Sequence, residues 1–120
     1  MVAVIESNTP GEGNRHVAGA HLVMAVFYGV GAAILGERLV ESSRVGGFDD
    51  SATGICWVLG VLVTFAITHV AAARGARRKR RWARALSRAL AIIFFPVVPV
   101  GTAFGLFIFR NTRPHRWVSE

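Results

Sequence analysis

A chain of 120 residues has room for one domain, and here 52% of the residues are hydrophobic and only 18% charged. The two kinds are segregated into blocks, which excludes the interleaved helical or strand alternation of a soluble fold of this size. The net charge of +7 comes from one basic cluster with a single aromatic residue inside it, and the lone cysteine excludes an internal disulfide or a multi-cysteine metal cluster.

Residues 1–14 carry Glu6 and Glu12 and no Lys or Arg, so the basic start of a secretory signal is missing. Thr9-Pro10-Gly11 and Gly13-Asn14 are turn chemistry, and residues 1–14 are expected to be a flexible tail. An uncharged run from Val17 to Gly36 follows, which predicts a first transmembrane helix over 17–40. Ala25, Gly29, Ala33 and Gly36 recur in it at three- or four-residue spacing. Small residues so placed let helix backbones approach closely, either within the chain or against a partner protein.

The next connection, 37–54, sets Glu37, Glu41, Asp49 and Asp50 against Arg38 and Arg44. Gly46-Gly47 and Asp49-Asp50-Ser51 are turn signals in it. A second transmembrane helix is predicted over 55–73, with Trp57 as an interfacial anchor and Cys56 as a packing residue. The segment 74–88 then holds Arg74, Arg77, Arg78, Lys79, Arg80, Arg81, Arg84 and Arg88 without one acid. Basic residues in short connections stay on the cytoplasmic side, so this segment and the N-terminus are expected there, and 37–54 outside. Arg77, Arg81, Arg84 and Arg88 fall on one helical face with Trp82 on the other. Arg77, Arg78, Lys79, Arg80, Arg81 and Arg84 are thus expected to contact anionic lipid. Nucleic acid is not expected as a partner.

The third apolar stretch, 89–109, is broken in its middle by Pro96 and Pro99. Proline removes a backbone donor and costs about 3 kcal/mol inside a helix. Two geometries follow: one kinked span, or a short helical hairpin whose second arm is opened by Pro99. Gly101 and Gly105 form a packing face that suits either. The charges favour the hairpin, because the basic tail 110–120 then returns to the cytoplasm. The expected fold is an all-α integral membrane bundle with three hydrophobic segments, the third one broken.

The run Arg80-Arg81-Trp82-Ala83-Arg84, an apolar helix, and then Pro99-Val100-Gly101-Thr102-Ala103-Phe104-Gly105 resembles a pattern in small uncharacterised bacterial membrane proteins. In those an Arg/Trp segment leads to a PxGTxxG turn. The resemblance covers roughly 73–117 and implies a multi-pass protein of the bacterial inner membrane, without an activity.

Two histidines stand near or within the predicted spans. His21 begins the first and His69 nears the end of the second, so both are expected toward the cytoplasmic side. The sharper reading makes them haem or metal ligands; the plainer one gives them hydrogen bonds to neighbouring helices and implies no cofactor. We adopt the plainer reading. The sequence shows no catalytic triad, phosphate loop or paired intramembrane carboxylates, and no small-molecule substrate is identified. The expected function is that of a non-catalytic accessory subunit of a larger membrane complex, a bioenergetic assembly being one host of suitable scale. Its partners would be other integral membrane subunits and anionic lipids. The alternatives are a small homo-oligomeric transporter or channel and a haem-binding redox subunit.

Overall fold

The computed structural model describes residues 9–46, 50–96 and 99–120. Among them are four helices: α1 (Glu12–Val45), α2 (Asp50–Arg77), α3 (Arg81–Phe94) and α4 (Val100–Asn111). The chain divides into two compact units. Unit 1 comprises Met1–His21 and Ala71–Glu120, and unit 2 comprises Leu22–Val70.

Among the described residues only α1 and α2 are long and apolar enough to cross a membrane. Their 34 and 28 residues exceed the roughly 20 needed for a ~30 Å hydrocarbon core. The third hydrophobic segment is not a span. It is divided into helices of 14 and 12 residues, each too short to cross. The chain reverses between them, so the hairpin replaces the kinked span. Phe94 meets Phe104 edge-to-face at 6.4 Å, and Thr102 Oγ1 donates to the Phe95 carbonyl at 2.9 Å. A side chain at Gly105 would lie 3.0 Å from Phe95 and 3.2 Å from the Ala91 carbonyl, so glycine sets how closely the arms approach. Gly101 is buried as well. Pro99 is the N-cap of α4, where its fixed φ and missing N–H do no harm, and Pro96 lies in the turn beyond α3. Val97 and Val98, at the centre of the break, lie outside the described residues.

Several sequence-based boundaries shift. Residues 12–14 are helical and not part of a tail, because the Glu12 N–H closes a turn onto the Thr9 carbonyl and Gly11 adopts φ +87°. The acidic connection 37–54 is mostly helix, with α1 running on to Val45 and α2 starting at Asp50. Of its turn signals, Gly47 and Asp49 lie outside the described residues.

The basic segment 74–88 is not one helix. The α2 helix ends at Arg77 with a six-residue C-terminal motif: Arg80 N–H donates to the Gly75 carbonyl, and Lys79 N–H to the Ala76 carbonyl. Lys79 takes the left-handed conformation, φ +53°, that glycine usually supplies there. Arg77 therefore does not share a helical face with Arg81, Arg84 and Arg88.

Within unit 1 the interior is built largely of small residues. Val17, Ala18, Ala72, Ala73, Ala76, Ala83 and Ala91 are buried, together with Leu90, Phe94, Phe104, Ile108 and Trp117. Gly75 has no room for a side chain, since a Cβ there would come within 2.8 Å of both Ala83 and the Trp82 ring. Unit 2 is different: among its described residues only Met24, Ala25 and Ala52 are buried apolar side chains. Val23, Val26, Phe27, Val30 and Ile34 on α1, and Trp57, Val58, Val61, Val63 and Ile67 on α2, are exposed.

Candidate functional site

The polar residues of unit 1 gather where the start of α1, the end of α2, the start of α3 and the C-terminal segment meet. Asn14 is the link. Its Nδ2 donates to the Ala76 carbonyl at 3.1 Å and to the Val118 carbonyl at 3.0 Å, and its Oδ1 accepts the Val118 N–H at 3.0 Å. One buried amide thus fastens three stretches of chain that are far apart in sequence. Gly13 makes this approach possible. Its N–H donates to the Arg116 carbonyl at 3.1 Å, and a Cβ would run into the Asn111 and Arg116 carbonyls. The Glu120 N–H bonds the Lys79 carbonyl at 3.0 Å, and Lys79 Nζ pairs with Glu120 Oε1 at 2.8 Å. That hydrogen bond, then the Lys79 charge, holds the Glu120 carboxyl below the usual range. Residues 110–120 are therefore not a solvated tail, and Trp117 is buried among them.

A second layer ties the hairpin's two arms together at its polar end. Arg84 Nε donates to the Thr112 carbonyl at 2.8 Å; Arg88 Nη2 donates to the same carbonyl and Nε to Thr112 Oγ1, both at 3.1 Å. Thr112 is the C-cap of α4. Two guanidinium groups from one arm thus satisfy and neutralise the negative helix end of the other. Burial, and then the neighbouring Arg88 charge, lower the Arg84 pKa from its ordinary value. Asn111, beside the cap, donates to the Phe107 carbonyl at 2.9 Å, which fixes its amide. Its Oδ1 lies 3.3 Å from His16 Nδ1, so that ring nitrogen carries the proton.

His21 and His69 belong to different units. His21 is fully buried with Nε2 2.8 Å from the buried Ser87 hydroxyl and its ring edge-on to Phe104 at 5.6 Å. His69, also fully buried, stacks on Tyr28 at 5.5 Å. Tyr28 stacks in turn on Phe65 at 5.6 Å. Each imidazole is thus packed against aromatic rings of its own unit. Among the described residues no three His, Cys, Asp or Glu side chains come together as a metal site would require.

The other sequence candidates are distributed as follows. Ala25 is buried, whereas Gly29 and Ala33 are exposed, and among the described residues a Cβ at Gly29 or Gly36 would meet nothing within 4 Å beyond its own helix backbone and chain neighbours. The close approach in unit 2 is at Gly31, whose Cβ would lie 3.5 Å from Leu62. Cys56 is exposed and so is not an interior packing residue of the chain. Of the six residues expected at lipid, Arg77, Arg78, Arg80 and Arg81 are exposed, Lys79 is paired with Glu120, and Arg84 is committed to Thr112. The sequence reading took Gly13 and Asn14 for turn chemistry in a tail and gave Ser87 and Thr112 no role. The one signal that could have found Asn14 is a strongly polar residue just ahead of the apolar Val17–Gly36 run. No family model, curated protein or solved structure matches the chain.

Proposed function

We propose that the chain is a small integral membrane protein that crosses the membrane twice, through α1 and α2, and serves as a non-catalytic accessory subunit of a larger membrane complex. The observation that carries this is the uncovered apolar surface of unit 2. Two helices of span length leave Phe27, Ile34, Trp57 and Ile67 more than half exposed. Side chains of that kind, exposed to water, would forfeit about 1.5–3 kcal/mol each. Lipid and partner helices are the surroundings in which that cost vanishes. The Thr64 and Thr68 hydroxyls donate back to the Gly60 and Thr64 carbonyls at 2.8 and 2.7 Å, the arrangement by which such groups are satisfied in lipid.

In this reading the Arg74–Arg81 end faces the bacterial cytoplasm, by the distribution of basic residues. The starts of α1 and the C-terminal segment share that side, because Asn14 and Glu120 are bonded to the same turn of chain. The open Gly29/Ala33 strip is where a partner's transmembrane helix docks, since among the described residues nothing packs within 4 Å of a Cβ at Gly29. Purification in mild detergent with native mass measurement tests the proposal. A stoichiometric complex with other membrane subunits is expected, and Gly29→Leu should lose it while the chain stays in the membrane. A monomer or homo-oligomer alone overturns the accessory reading. Release of the chain by alkaline washing overturns the membrane reading as well.

A further inference from the structure

Unit 1 carries a second apolar surface, separate from α1 and α2. On the α3–α4 hairpin Ile92, Ile93 and Val100 are each more than half exposed, and Phe95 is 44% exposed. All four lie toward the end where the chain reverses. At the opposite end Arg84 and Arg88 both donate to Thr112, with Arg77, Arg78, Arg80, Arg81 and Arg113 exposed. The hairpin is thus graded along its length, cationic at its base and apolar at its tip.

The arm lengths say what fits. Twelve residues of α4 rise about 18 Å from Thr112 to the tip. That is close to the ~15 Å of one leaflet's hydrocarbon, and far from the ~30 Å of the whole core. Both arms also leave at the same level, since Glu120 is bonded to Lys79 through backbone and side chain. The Arg84 and Arg88 bonds to Thr112 let the polar end of α4 sit at the headgroup boundary with its carbonyl satisfied.

We propose that the α3–α4 hairpin is a re-entrant wedge. It enters one phospholipid leaflet from the side of the Arg77–Arg81 turn and returns to that side, and the exposed arginines at its base hold anionic headgroups. Charge complementarity selects the occupant: an apolar tip with exposed guanidinium groups of Arg77, Arg78, Arg80, Arg81 and Arg113 at its base matches an anionic leaflet and not a neutral protein groove. The inference rests on the membrane reading above, and its test separates the two.

The full chain with Cys56→Ala is reconstituted in phosphatidylcholine vesicles containing phosphatidylglycerol, with single nitroxides at Ile93→Cys or Val61→Cys. Both labels should be reached by oxygen and shielded from an aqueous nickel chelate. A chelate-accessible label at Ile93 with a shielded one at Val61 overturns the wedge and leaves the spans intact. Access to both overturns the membrane reading itself. In sealed membranes Arg78→Cys and Ser119→Cys should react with an impermeant thiol reagent from the same side, and Ser51→Cys from the other. Reaction of Ser119→Cys from the side of Ser51→Cys means a third crossing and overturns the wedge. Spin-labelled phosphatidylglycerol should be retained at least twofold over phosphatidylcholine, a preference that Arg77, Arg78, Arg80 and Arg81 together replaced by Gln should abolish. Equal retention by the unaltered chain overturns the arginine collar.

Discussion

Asn14→Ala should release the C-terminal segment from unit 1 without disturbing unit 2. The Asn14 side chain makes three hydrogen bonds, to Ala76 and twice to Val118, and the residue is only 3% exposed. A typical net value of about 0.5–1.5 kcal/mol per bond places the loss at about 2–4 kcal/mol. Leaving two carbonyls and one N–H without this partner pushes toward the upper figure. That corresponds to roughly 30- to 900-fold in the local opening equilibrium. Amide hydrogen exchange is the assay, because the Val118 N–H bonds Asn14 directly and the Glu120 N–H depends on the same docking. Both amides should exchange at least tenfold faster in the variant, with the α2 amides around Val61 unchanged. Protection at Val118 and Glu120 within threefold of the parent chain would refute the reasoning, since the segment would then be held by something other than this amide.

Gly13→Ala should destabilise unit 1 by about 1–3 kcal/mol, because the new Cβ meets two backbone carbonyls that cannot step aside. Gly29→Ala, where the space is open, should leave a denaturation midpoint in detergent unchanged, and equal effects at the two sites would contradict the packing described. Lys79→Gly should be more stable than Lys79→Met by about 1 kcal/mol, since both lose the Glu120 pair but only glycine relieves the left-handed backbone. The Lys79–Glu120 tie should also depend on pH. The Glu120 carboxyl sits below its ordinary 4.5 in the folded chain, so its contribution is present above that pH and is lost as pH falls through the folded value. Protection of the Glu120 amide, taken relative to its intrinsic exchange rate at each pH, should fall on acidification in the parent chain and show no such step in Lys79→Met.

What could be read along the chain was whatever depends on near neighbours. The Val17–Gly36 and Ile55–Ala73 runs are long and uncharged, and length with hydropathy is enough to specify a helix able to cross a membrane. Pro96 and Pro99 mark a break in the third apolar stretch by their own backbone chemistry, and the tertiary structure makes that break a hairpin and not a kink. The helix ends were less visible. Glu37–Val45 is polar, yet it stays helical because nothing in it breaks the backbone before Gly46.

The polar layer could not be read that way, because each of its members takes its meaning from a residue far off in the chain. Arg84 looks like a lipid-facing arginine until Thr112, 28 positions on, is brought beneath it. Trp117 follows directly on Arg116, whose carbonyl accepts the Gly13 N–H, and it is buried in the folded chain. Asn14 gives no local hint of partners 62 and 104 residues away. A hydropathy pattern specifies which side chains must leave water. Which buried polar atoms then satisfy one another is decided only when the folded chain juxtaposes them, since a hydrogen bond is a matter of position within a few tenths of an ångström.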